Sequence, residues 1–158
     1  MDDGLLRCNV CKTDKPEADF YPSEATLKGY KRCKLCWRMM RQKRINDDHE
    51  SYLKLLFGQL RSKRRSQDFE WEIEYEDLLS IWDAQKGKCA LSNLNMTHHR
   101  RGGKKLPFNA SIERINHNEG YVRGNVQLVC NQVNTMRHTL NIDEFWWWIK
   151  TIWEHQNG

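Results

Sequence analysis

Apolar and polar positions change period several times along the chain. Leu53, Leu56, Phe57 and Leu60 recur at i, i+3, i+4 and i+7 with Tyr52 beside them, the stripe of an amphipathic helix. An earlier face of Trp37, Met40 and Ile45 predicts a helix before it. Asp47 or Asp48 is placed to cap the second helix, so a break is expected near Asn46. Phe69, Trp71, Ile73 and Tyr75 alternate with acids, which is the period of a short strand. Leu78, Leu79, Ile81 and Trp82 then predict a helix stopped by Gly87, and residues 88–95 (KCALSNLN) a strand and turn. Beyond a basic loop, HHRRGGKK, the order is strand (Ser111–Ile115), strand (Val126–Val129) and helix (Asn131–Arg137). A last helix carries Phe145, Trp148, Ile149 and Ile152 at core spacing, with Asn141 and Glu144 set as a capping box.

The N-terminal stretch is punctuated differently. Cys8 and Cys11 form one Cys-x-x-Cys pair and Cys33 and Cys36 another, with 21 residues between the pairs. Residues 12–15 read as a turn, Phe20 and Tyr21 as a short strand closed by Pro22, and Gly29 precedes the second pair. Zinc takes four thiolates tetrahedrally, and each Cys-x-x-Cys turn brings two sulfurs to one side of the backbone. Cys8, Cys11, Cys33 and Cys36 are therefore expected to hold a closed structural zinc. Cys89 and Cys130 stand alone in apolar stretches and are expected as buried core thiols.

Charge sharpens this picture. The 158 residues carry 26 Lys plus Arg against 21 Asp plus Glu, a formal net charge of +5. Residues 31–65 hold twelve Lys or Arg and three acids, whereas residues 66–86 hold seven acids and one Lys. The basic stretch is the expected contact surface for a polyanion: Arg38, Arg41, Lys43, Arg44, Arg61, Lys63, Arg64 and Arg65, joined by Arg100 and Arg101 of the later loop. No apolar run approaches the roughly 20 residues that cross a bilayer, so no membrane partner is expected. The N-terminus has no basic region followed by an apolar one, which argues against secretion. Paired cysteines of metal spacing fit a reducing compartment, so an intracellular setting (cytoplasm or nucleus of a host) is expected.

Four sequence blocks carry a resemblance: GKCALSN at residues 87–93, SIERIN at 111–116, EGYVRGNVQLVC at 119–130 and VNTMR at 133–137. With the four-cysteine module before them, they resemble the HNH endonucleases of the ββα-metal (His-Me finger) type, in the phage and large-virus branch. The resemblance implies an α+β fold: a zinc knuckle and hairpin, a basic helical segment, and a ββα-metal core followed by the Trp-rich helix. The division expected is 1–40 for the zinc module, 41–86 for a basic helical linker with the acidic strand and helix, and 87–158 for the nuclease domain. It also implies a phosphodiester hydrolase needing Mg²⁺ or Mn²⁺, held by Glu113 and Asn134, with Asn125 orienting the loop between the strands.

Departures from the family pattern bear on chemistry. Arg114 stands where the general-base His is usual, and an arginine stays protonated at neutral pH, so it suits holding a phosphate. The base then falls to His98 or His117. Glu113 replaces the commoner Asp, Asn116 a second Asp, and Asn93 a usual Gly. The reading is a metal-dependent DNA endonuclease or nickase. A zinc-containing nucleic-acid binder whose core has lost catalysis is the alternative, and a protein-interaction role for the zinc module and aromatic helix is the other. A homodimer would place two nicks on opposite strands.

Overall fold

The computed structural model of the chain describes residues 4–25, 29–64 and 70–158, apart from the side chain of Ala25. Arg65 and Phe69, both named above, lie outside the described residues. Two compact units divide at Arg44 and Ile45.

In the first unit, β1 (Leu5–Arg7) and β2 (Asp14–Pro16) pair antiparallel, with Leu5 opposite Pro16 and Arg7 opposite Asp14. A 3₁₀ turn (Glu17–Asp19) and the one-turn α1 (Pro22–Ala25) follow. Phe20, expected to open a strand, makes a single bridge to Cys33. α2 (Lys34–Asp47) begins beside the second cysteine pair. The small core is Cys8, Phe20, Cys33 and Cys36, with Leu6 packed on it. So few apolar side chains cannot offset the entropy of ordering the chain, the situation in which small modules rely on a metal.

In the second unit, α3 (His49–Arg64) starts at the expected break. The Asp48 carboxylate accepts from the backbone N–H of Glu50 (3.0 Å) and Ser51 (2.9 Å), satisfying donors that the first helical turn leaves free. Residues 71–74 form no strand. Trp71 makes one parallel bridge to Tyr121, and the chain enters α4 (Tyr75–Ala84) where the Asp77 carboxylate accepts from the Glu74 N–H at 2.8 Å. Of the acids read as strand punctuation, Glu74 is the residue that caps the helix. Residues 88–95 close as a turn with one bridge, Lys88 to Asn95, and Asn93 takes a φ of 57°, so too little extended chain is left for a ladder.

β3 (Ala110–Arg114) and β4 (Val126–Cys130) pair antiparallel from Ala110–Cys130 to Arg114–Val126, and α5 (Asn131–Arg137) packs back on both strands. The fold is α+β, and this is the ββα unit that the sequence resemblance implies. Residues expected as a linker supply much of its core: Tyr52, Leu53 and Leu56 of α3 pack with Met96, Ala110, Leu128 and Val129. The buried Tyr52 hydroxyl donates to the Ala110 carbonyl at 2.9 Å, tying α3 to β3. Cys89 and Cys130 are buried free thiols in the same core, with the Cys130 N–H on the Cys89 sulfur at 3.2 Å.

α6 (Ile142–Asn157) starts with the expected capping box: Asn141 Oδ1 accepts from the Glu144 N–H (2.9 Å), and the Glu144 carboxylate accepts from the Asn141 N–H (3.0 Å). Its core face does not materialise. Phe145 alone is buried in this helix, while Trp148 and Ile152 are 50% and 56% exposed. Helical spacing defines a face but not a neighbour, and the core is already closed by α3, α4 and the hairpin. Among the described residues, no helix is long and apolar enough to cross a membrane.

Candidate metal centre and ββα site

The four N-terminal cysteines converge. Cys8 follows β1, Cys11 lies in the hairpin turn, Cys33 precedes α2 and Cys36 sits in its first turn. Their sulfurs all lie within 4.8 Å of one another. Four sulfurs at ~2.3 Å from one zinc are about 3.8 Å apart, so the cluster fits that ion. The turn is set by backbone bonds: Lys12 N–H to the Cys8 carbonyl (2.8 Å), Cys8 N–H to the Thr13 carbonyl (3.0 Å), and Lys12 in the left-handed region at φ 59°. The Cys33 N–H donates to Cys8 Sγ at 3.3 Å.

Electrostatics point to the same need for a cation. Burial opposes ionisation of Cys8, but backbone amides of Cys33, Cys11 and Val10 outweigh it and bring its thiol down to about 6. Burial and the neighbouring thiols push Cys36 up to about 12. One sulfur is thus prepared as thiolate, and the last cannot ionise beside the others until a cation compensates them.

In the ββα unit, side chains alternate along β3. Ala110 and Ile112 join the core around α3, and Ser111 and Glu113 meet α5. Asn134 and Arg137, three residues apart, share one face of that helix. Asn134 Nδ2 donates to Ser111 Oγ at 2.8 Å, and Arg137 Nη1 lies 3.1 Å from Glu113 Oε1. Both members of the ion pair are almost wholly buried, with side chains 1% and 2% exposed. Arg137 also donates to the carbonyls of Arg114 (Nη1, 2.9 Å) and Ile115 (Nη2, 2.6 Å), pinning α5 to the end of β3. Gln127 Nε2 donates to Glu113 Oε2 at 2.7 Å. Glu113 Oε1 is charge-compensated by the Arg137 guanidinium but accepts no hydrogen bond of good geometry.

Among the described residues, the carbonyl oxygen of the Asn134 side chain accepts no hydrogen bond, since its contact to Ser111 runs through the amide nitrogen. A carboxylate oxygen and an amide oxygen are donors of the hard kind that Mg²⁺ and Mn²⁺ prefer. Glu113 Oε1 already faces the Arg137 guanidinium at 3.1 Å, so an ion there would compete with it for the carboxylate.

The other residues singled out from sequence are placed as follows. Asn125, buried, holds the 116–120 loop: its Oδ1 accepts from the Asn116 N–H (2.8 Å), and its Nδ2 donates to the carbonyls of Asn116 (3.1 Å) and Gly120 (2.9 Å). Arg114 donates to the Glu119 carbonyl at 2.8 Å and lies over the Tyr121 ring, 5.3 Å from its centroid. His117 is half-buried in the loop that Asn125 holds. His98 belongs to an imidazole cluster with His99 (4.6 Å between centroids) and His49 (6.4 Å), and His49 stacks on Trp82. Burial lowers the His98 pKa, and the neighbouring imidazoles add to it against an opposing Asn46 backbone contact. Arg38, Arg41, Lys43 and Arg44 are exposed on α2, and Arg61 and Lys63 on α3, where Arg64 is half-buried over Tyr121. Arg101 is exposed in the later loop, and Arg100 is fixed there by the Asn46 side chain, which accepts its backbone N–H at 2.9 Å.

Three residues that organise this unit carry no periodic signal. Arg137 reads as a helix-terminal cation, yet it is fully buried. Gln85 pairs with Leu128 as a strand residue would, donating to its carbonyl (2.8 Å) and accepting its N–H (3.0 Å). Asn109 closes the basic loop through Leu106 N–H, Thr97 Oγ1 and the His99 carbonyl.

Comparison with known proteins adds two likenesses. An uncharacterised 29.0 kDa protein from the dda–modA intergenic region of enterobacteria phage T4 is 36% identical over 86 residues, 54% of this chain and 31% of that protein. The match thus spans about a third of the relative's length. The structure of the rare-cutting HNH restriction endonuclease PacI superposes with a TM-score of 0.42 and 14% identity, covering 96% of this chain and 97% of that one. No family model matches the chain.

Proposed function

We propose that the chain is a divalent-metal-dependent DNA endonuclease or nickase of HNH type, in which a structural zinc holds the N-terminal module. The observation that carries the reading is a buried carboxylate oxygen without a hydrogen bond, Glu113 Oε1, on the strand face that α5 covers. Glu113 and Asn134 would hold Mg²⁺ or Mn²⁺, which supplies charge neutralisation at a scissile phosphate. Asn125 keeps the 116–120 loop in place. Arg114, at the end of β3, is the phosphate-holding cation. His117 follows the Asn116 backbone that Asn125 grips and is the first candidate for moving a proton, with His98 the second. The exposed cations of α2, α3 and the 100–101 loop would contact the nucleic-acid backbone, giving affinity that falls steeply with salt.

Nicking of supercoiled plasmid tests this directly. Cleavage is expected in Mg²⁺ or Mn²⁺, none in EDTA, and none by Glu113→Gln at equal folded concentration. Equal cutting by that variant refutes the assignment.

One observation favours a second reading. Arg137 already supplies Glu113 with a positive charge at 3.1 Å, as expected if the core had exchanged a metal for an internal ion pair. Salt-dependent DNA binding with no cleavage in either metal would select this catalytically decayed binder.

A further inference from the structure

A cleft of about 120 Å³ opens along β3 beside α3, lined by Gln59, Leu60, Lys63, Lys105, Ser111 and Ile112, together with Leu56. Its volume is far above the ~10–15 Å³ that admits one water and leaves room for a tetrahedral group of four oxygens. Two of the lining side chains are cations, and among the described residues no carboxylate lines it. Lys105 is half-buried and points its ammonium at Ser111 Oγ, 3.4 Å away. That hydroxyl already accepts from Asn134 Nδ2 at 2.8 Å, and among the described residues its own proton has no acceptor. Among the same residues Lys105 has no carboxylate partner. Desolvation lowers its pKa, and the positive charges of Arg100 and Lys63 lower it further, with no opposing contribution. A desolvated ammonium beside a spare hydroxyl donor, with no carboxylate partner among the described residues, suits an anion.

We propose that this cleft is a phosphoryl-binding subsite: the ammonium of Lys105 and the hydroxyl of Ser111 take the oxygens of one phosphate, and Lys63 closes the outer wall. Of its two cations, Lys63 is among the basic residues read from the sequence as contacts and Lys105 is not. It rests on the nuclease reading only for the source of its ligand, a backbone phosphodiester rather than free phosphate. Ser111 stands two residues before Glu113 on the same strand face, and Asn134 is bonded to it. A phosphate held here therefore sets the register of the nucleic-acid strand against the proposed metal ligands. Leu60 and Ile112 exclude water from one side, which strengthens an ammonium–phosphate contact.

The test uses the full chain in two arms. In the first, affinity for a short DNA duplex is measured against salt for the parent, Lys105→Met and the remote surface control Lys150→Met. Losing one phosphate contact makes the slope of log K against log salt shallower by about 0.9, with affinity reduced several-fold. In the second arm, inorganic phosphate is added to thermal melts: the parent gains melting temperature and Lys105→Met does not. Lys63→Met, an exposed position that cannot compromise folding, is expected to lose part of both responses. A slope and a phosphate response unchanged in Lys105→Met and in Lys63→Met overturn the subsite while leaving the nuclease reading intact. A phosphate response that needs Lys105, without DNA binding by the parent, supports the subsite with free phosphate as its source and removes the nuclease reading.

Discussion

Replacing Glu113 by Gln separates the structural from the chemical part of the ββα site. The substitution keeps the size of the side chain and can keep the Gln127 contact at 2.7 Å, but it removes the charge facing Arg137 at 3.1 Å. Arg137, 0% exposed, would then keep its two carbonyl acceptors and lose its counterion. Removing one partner of a buried pair costs about 3–5 kcal/mol, because the other charge is left buried and uncompensated. The retained carbonyl bonds place Arg137 at the lower end, about 3 kcal/mol. Domains have about 5–15 kcal/mol in total, so the variant should still fold. With an m-value of about 1–3 kcal/mol per molar urea, its midpoint should fall by roughly 1–3 M. Urea titration followed by circular dichroism measures this. Adding Arg137→Met should recover part of the loss, since the stranded charge goes with it. Mg²⁺ or Mn²⁺ in excess should raise the midpoint of the parent and not of Glu113→Gln; occupancy at a hundred times the dissociation constant is worth about 2.7 kcal/mol. A loss under about 1 kcal/mol for Glu113→Gln would refute the claim that the buried ion pair is integral to the fold.

Four other outcomes follow from the geometry. Thiol modification in the presence of a metal-sensing dye should release a single zinc per chain, and Cys33→Ser should release none. Protons compete with zinc for the four thiolates, so zinc should be lost on acidification, followed with the same dye. Gly120→Ala should destabilise the second unit by about 1–3 kcal/mol in urea, because the added Cβ would sit 2.1 Å from the Glu70 carbonyl oxygen that accepts the Tyr121 N–H. Unfolding of the parent should become easier as pH falls below 6.5. The depressed His98 pKa means that the unfolded chain takes up a proton the folded one resists, and His98→Gln should flatten the pH dependence of the urea midpoint.

What the chain discloses in advance, and what it hides, divides along physical lines. The α3 stripe, the Asp48 cap, the Asn141–Glu144 box, both cysteine pairs and the ββα order were legible because each is encoded within a few residues by spacing or capping chemistry. Trp71 to Tyr75 misled because acids between apolar residues serve equally as strand punctuation and as a helix start, and the Asp77 contact to Glu74 decides for the helix. Trp148 and Ile152 misled because periodicity cannot say whether a partner surface remains. The organising polar residues were illegible for a stronger reason. Arg137, Gln85 and Asn109 each satisfy backbone groups that lie elsewhere in the fold, and no local pattern records which carbonyl will be left without a partner.

That distinction bears on how the site is built. Along β3, alternate side chains do different work: Ala110 and Ile112 are held by the apolar core, while Ser111 and Glu113 are held by polar groups of α5 and β4. The polar face is only partly satisfied. Glu113 Oε1 accepts no hydrogen bond, and the Ser111 hydroxyl has no acceptor for its proton among the described residues. Native interiors rarely leave such groups open without a reason, because each costs about 1–3 kcal/mol. Of two groups two residues apart on one strand face, the Glu113 carboxylate already has the Arg137 guanidinium for a counterion, whereas the Ser111 hydroxyl and the desolvated Lys105 ammonium beside it have no anion among the described residues. Under the proposed function a phosphate of the nucleic-acid backbone would supply that anion, and a divalent metal would have to compete with Arg137 for Glu113. That pairing is why the hydrolase reading and the Lys105 subsite are best tested in the same set of variants.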